Sequence, residues 1–125
     1  MKSVVDRTAI ALAIVGVIGL SGCSSAPVPN AKVASSEAAI RAAQETGSRD
    51  VPQAALHLKL AEEQLEQAKK LIRNNDNERA SYVLMRAEAD AELAVALSRV
   101  ETSKAKAGTA LDNVRAVRSG APPNP

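Results

Sequence analysis

The sequence predicts an all-α fold: an antiparallel helical hairpin with an additional short N-terminal helix, elongated and able to close into a three-helix bundle. Three observations predict it. The 125 residues include 25 Ala, one Tyr and neither Phe nor Trp, so strands, which favour β-branched and aromatic residues, are poorly supplied and helices are favoured. Apolar residues recur at spacings of three and four from Val51 onward, which places them on one side of a helix. Breakers at Gly47 and in the run Asn74-Asn75-Asp76-Asn77 divide the periodic stretch into three.

Before the first helix the chain reads as an address. Lys2 and Arg7 flank a polar start, and an uncharged apolar run from Ala9 to Leu20 follows. A membrane-spanning helix needs roughly 20 apolar residues, so these twelve suit the hydrophobic region of a signal peptide, assigned to residues 1–22. Leu20, Ser21, Gly22 and Cys23 resemble the lipobox of bacterial lipoproteins, in which the Cys thiol receives a diacylglyceryl group. That resemblance implies lipidation of Cys23 and attachment to a membrane through its acyl chains, each buried methylene contributing about 0.8 kcal/mol. Ser24 follows the Cys; in the enterobacterial sorting pattern an Asp there retains a lipoprotein at the inner membrane, so the outer membrane, facing the periplasm, is expected. Residues 23–30 form a tether, since Pro27 and Pro29 hold their neighbours extended. At ~3.1 Å per residue it lifts the folded part roughly 20 Å from the lipid.

The helical domain is expected over residues 31–118. Its first helix runs from Ala31 to Thr46 and ends at Gly47, with Ala31, Ala34, Ala38 and Ala42 as the apolar face beside Val33 and Ile40. In the second, Asp50 is the expected cap, Pro52 enters the first turn and Gln53 completes a capping-box pattern. Val51, Ala54, Leu58, Ala61, Leu65, Ala68 and Ile72 form its stripe, and it ends near Asn74. The Asn-rich turn caps the third helix, Asn75 with Glu78 being one capping box. That helix meets no breaker before Gly108, where a bend is plausible, or even before Ser119; residues 119–125 are a Pro-rich tail.

A turn this short makes the second and third helices antiparallel neighbours. Leu58 then meets the region of Ala94, Leu65 that of Ala87 and Ile72 that of Ala80, large residues against small ones. The second helix reaches only to about Arg99. Leu97, Val100, Leu111 and Val114 therefore form a candidate interaction stripe, to be covered by the first helix, a periplasmic protein partner or a homo-oligomer.

Chemistry is poorly provided for. His57 is the single His and has no evident carboxylate set beside it, so neither catalytic residues nor a metal site nor a cofactor is expected. Glu62, Glu63 and Glu66 read as a solvated face with a Glu66–Lys70 pair, while Glu88, Asp90 and Glu92 spread around their helix. Ser residues are expected mainly in the tether, at helix ends and at exposed positions, and Tyr82 as a half-buried hairpin contact. With 16 Lys and Arg against 14 Asp and Glu, no nucleic-acid partner is indicated. Arg99, Lys104, Lys106, Arg115 and Arg118 read as solubilising and helix-end charge.

From about Ala38 to Ala107 the chain resembles the bacterial domain of unknown function 4398. Val51-Pro52-Gln53-Ala54-Ala55, then Leu58, Ala61, Leu65 and Ala68, the Asn/Asp turn, and Ala87-Glu88-Ala89-Asp90-Ala91-Glu92-Leu93-Ala94 carry the resemblance. It implies a small, non-enzymatic envelope lipoprotein acting as a structural or interaction module. Some relatives continue into an OmpA-like peptidoglycan-binding domain, whereas this sequence stops at Pro125, which leaves peptidoglycan open as a partner. A second resemblance is to the Ala- and Leu-rich murein lipoproteins, whose terminal Lys is joined to peptidoglycan; here the last residues are Pro-Asn-Pro. That alternative implies peptidoglycan or small-ligand binding.

Overall fold

Three helices form where the breakers allow them. The computed structural model describes residues 26–120: α1 (Asn30–Glu45), one 3-10 turn (Ser48–Asp50), α2 (Pro52–Arg73) and α3 (Asn77–Ser119), with no strand among the described residues. The expected signal peptide, the lipobox residues Leu20, Ser21, Gly22 and Cys23, and the tail beyond Gly120 lie outside the described residues.

Gly47 ends α1 with φ of 73°, a left-handed conformation that a side chain opposes. The chain then turns back through Ser48–Asp50, and this turn changes the start of α2. Asp50 lies within it, its N–H bonded to the Gly47 carbonyl at 3.0 Å, and the extended residue before the helix is Val51. No side chain caps α2, so the expected Asp50–Gln53 box does not form; Pro52 at the first position removes one of the N–H groups that needed a partner. At the second turn the roles shift by one residue. Asn75 takes the left-handed conformation, with φ of 59°, and Asp76 becomes the cap of α3. Its carboxylate accepts the Arg79 N–H at 3.4 Å and pairs with the Arg79 guanidinium at 3.0 Å, in place of the expected Asn75–Glu78 box.

Both other helices pack on α3. Lys32 bonds Ser81 and Ser35 bonds Glu88, so α1 ascends parallel to α3. Gln64 bonds Asp90, and α2 descends antiparallel. Lys69 closes the triangle by pairing with Glu37 of α1 at 3.2 Å and with Glu66 at 3.3 Å; the expected Glu66 partner was Lys70. The hydrogen bond to Glu37, then that to Glu66, hold the Lys69 ammonium above the ordinary lysine pKa. This contribution is complete at neutral pH and disappears only as pH rises through that raised value.

The core contains Leu58 and Leu65 with Ala54, Ala61 and Ala68 on α2, and Leu84 with Ala80, Ala87, Ala91 and Ala94 on α3. Large residues on α2 are received mainly by Ala on α3, as the stripe predicts, and Ile72 is half-buried. The face of α1 differs from expectation. Ala31, Ala34, Ala38 and Ala42 are exposed, and Ser36, Ile40 and Ala43 are buried, with Val33 and Ala39 beside them. The physical reason lies in Ser36, whose hydroxyl sits 3.0 Å from the Leu84 carbonyl and 2.7 Å from the Lys32 carbonyl. A small side chain with a satisfied hydroxyl lets the two backbones approach where a larger apolar one would hold them apart. Ser48 and Ser98 repeat the device, their hydroxyls 2.9 Å apart and buried. Three Ser residues thus belong to the interior, against the expectation that Ser would lie outside it.

At 43 residues α3 is about 65 Å long. Every residue from Arg99 to Asp112 is exposed, so the second half of α3 is an arm projecting beyond the bundle. Gly108 does not interrupt it. The tether joins at the opposite end, where Asn77 Nδ2 donates to the Ala26 carbonyl at 2.7 Å.

Candidate interaction surface

Two sides of α3 are occupied, by α2 and by α1, and the third is bare. Along it stand Tyr82, Met85, Ala89, Leu93, Ala96, Val100, Ser103, Ala107, Ala110, Val114 and Val117, all exposed. Ten intervals of three or four span the 35 residues from Tyr82 to Val117, an average of 3.5, which is the repeat of a coiled-coil seam. Leu111 lies at its margin. Of the expected stripe, Val100, Leu111 and Val114 are exposed, at 51%, 59% and 51%. Leu97 is the correction: it is half-buried against the core, because its position on the helix turns it toward the bundle. Neither α1 nor α2 covers Val100, Leu111 or Val114.

The same surface extends back over the bundle, which the sequence reading missed. Tyr82 is 62% exposed instead of half-buried, and Met85 and Leu93 stand beyond it. The signal was available in the three-four spacing continuing N-terminal to Val100 on the side opposite Leu84 and Ala91. Beside this face, α1 and α3 leave a groove of about 530 Å³ floored by Ala38, Ala42, Val95 and Ala96, with Glu88 and Arg99 at its rim.

Charge divides α3 at the edge of the bundle. Through Ser98 it carries Glu78, Glu88, Asp90 and Glu92 against Arg79 and Arg86. Beyond lie Arg99, Lys104, Lys106, Arg115 and Arg118 against Glu101 and Asp112. The inner half is thus net −2 and the arm net +3. Lys104 pairs with Glu101 at 3.7 Å and Arg115 with Asp112 at 3.1 Å, along the arm itself.

A polar cluster joins α2 to α3 where no such contact was expected. His57 Nδ1 lies 2.9 Å from Asp90 Oδ1, and Gln64 Nε2 donates to Asp90 Oδ2 at 2.7 Å. His57 and Gln64 are seven residues apart and so share one side of α2, a spacing from which the pair could have been read. Both oxygens of Asp90 accept, and the cluster is a clamp between helices. No group of three or more His, Cys, Asp or Glu side chains able to hold a metal occurs among the described residues. Asp90→Ala leaves two half-buried or buried donors without their acceptor and is expected to lower unfolding free energy by about 1–3 kcal/mol. Urea titration of the variant against Asp90→Asn, which retains an acceptor oxygen, measures this.

No helix among the described residues is long and apolar enough to cross a membrane. Neither a curated protein nor a solved structure matches the chain. The profile of a family described as Domain of unknown function (DUF4398) matches residues 31–110, from the first turn of α1 into the arm. As that stretch takes in both helix-to-helix turns, the clamp and most of the bare face of α3, the chain belongs to the DUF4398 family.

Proposed function

We propose that this chain is a non-enzymatic, lipid-anchored module of the bacterial cell envelope that presents the bare face of α3 to a protein partner. The observation that carries the reading is the 43-residue helix, of which the bundle covers only the first half. A helix that long, apolar on its free side, exceeds what an isolated bundle of this size needs for its own core. The lipobox Leu20-Ser21-Gly22-Cys23 supports attachment through Cys23, and Ser24 supports the outer membrane with the module in the periplasm. The Asn77–Ala26 bond supports a polarity, with tether at one end and arm at the other.

Two experiments test the two halves of the reading. Cys23→Ala is expected to shift the protein from the membrane to the soluble fraction and to abolish labelling by a radioactive fatty acid. Retention in the membrane by the variant, together with no label on the unaltered chain, rejects the anchor. Val114→Asp, placed on an exposed position, is expected to leave the fold intact by circular dichroism and to remove envelope crosslinks formed through α3. A second reading rests on the groove between α1 and α3, whose apolar floor and Glu88 and Arg99 rim suit a small ligand or a peptidoglycan fragment. Saturable binding to isolated sacculi distinguishes it.

A further inference from the structure

We propose that the partner of the α3 face is a second copy of this chain, its α3 laid antiparallel across the first about a two-fold axis close to Val100. This deepens the interaction reading and rests on it. The seam is nearly symmetric about that residue. Tyr82 and Val117 lie 18 and 17 residues from Val100, Met85 and Val114 lie 15 and 14, and Leu93 and Ala107 lie 7 on either side. Reversing one copy therefore superposes the spacings and again places the larger residues of the inner half against the smaller or β-branched ones of the arm.

Charge selects the direction. An antiparallel pair lays the arm, net +3, along the inner half, net −2, twice per dimer. In a parallel pair the halves meet their own sign, and Arg99 stands against Lys104 of the second copy. Glu92 and Lys106 lie on one flank of the seam, 8 and 6 residues from Val100 on opposite sides, so each Glu92 meets Lys106 of the second copy. Arg99 falls at the axis beside its own counterpart and is the position that opposes the pairing. The seam is roughly 52 Å long, and with helices 8–10 Å apart it buries on the order of 500 Å² per chain, which reaches the lower bound of specific interfaces. Such a dimer is weak, and its affinity falls with salt. Because the tethers emerge at opposite poles, two anchored copies reach one leaflet only with their helices lying along it.

Single-cysteine variants of the full chain carrying Cys23→Ser test the geometry, with circular dichroism as the check on folding. Val100→Cys is expected to form a disulfide-linked dimer on mild oxidation, and Val117→Cys alone none. A mixture of Tyr82→Cys and Val117→Cys chains is expected to form the mixed dimer. Sedimentation equilibrium is expected to show Glu92→Lys weakening the dimer roughly tenfold at low salt, with recovery on adding Lys106→Glu. Disulfide formation by Val117→Cys alone overturns the antiparallel arrangement, and a monomer at every concentration up to about 1 mM overturns self-pairing. In the monomeric case, reactivity of Val114→Cys toward a thiol reagent in intact cells separates the two readings. Shielding there leaves the interaction surface standing with a different partner; free labelling overturns both.

Discussion

Leu84→Ala is expected to lower the unfolding free energy by about 2–5 kcal/mol, measured by urea titration with far-ultraviolet circular dichroism. Leu84 has no exposed surface and is the largest fully buried side chain of the bundle. It stands on the helix that both others contact, and its own carbonyl meets the Ser36 hydroxyl. Truncation removes transfer free energy and leaves a cavity between helices already held close by Ala and Ser, which have no bulk to move into it. Since single domains are stable by only about 5–15 kcal/mol, the variant stands near its unfolding midpoint. Leu111→Ala, on the arm, is expected to change stability by less than about 0.5 kcal/mol. A loss below about 1 kcal/mol for Leu84→Ala would place the core elsewhere.

The converse change has an effect of similar rank. Ala91→Leu is expected to destabilise by about 1–3 kcal/mol, because Ala91 has no exposed surface and its neighbours in the core include Leu58 and Leu65. Three added carbons must push α2 away from α3, and the His57–Asp90–Gln64 clamp one residue away resists that movement. Ala110→Leu, the same change at an exposed arm position, is expected to leave the urea midpoint within the error of the wild type. Equal tolerance at both positions would sink the view that Ala is required by the spacing of the helices.

The parts of the fold legible in the sequence are those written in residues with strong preferences. Gly47 and the Asn-rich turn set the ends of α1 and α2 because left-handed dihedrals exclude most side chains. Leu58 and Leu65, seven apart, identified the buried side of α2. The face of α1 was misread because its choices lie between Ala and Ser, whose transfer free energies differ too little to mark a side. A buried Ser36 becomes favourable only when a carbonyl from another helix arrives to accept its proton, which is a tertiary fact. Asp50 was misread as a cap for a related reason: a good capping residue was present, but the 3-10 turn had already committed its backbone. The bare face of α3 was half legible. Val100, Leu111 and Val114 were found by asking what α2 could not reach, while Tyr82, Met85 and Leu93 lie opposite α2, where reach was not in question. The Asp90 clamp required the offset between two helices to be known to within a turn.

The division of α3 into a packed half and a projecting half also has a calorimetric consequence. Heat capacity changes on unfolding track the apolar surface newly wetted, about 12–15 cal/mol/K per residue for ordinary domains. In a separate chain the arm is wet already, and the core that does become wet is largely Ala. The heat-capacity increment and the unfolding enthalpy therefore fall short of what the chain length suggests, and the dome of stability against temperature is shallow. The arm, an isolated helical stretch without tertiary cover, loses its helix by gradual fraying rather than in the cooperative step. Calorimetry accordingly registers a smaller protein than circular dichroism does, and the difference between them is the length of helix left waiting for cover.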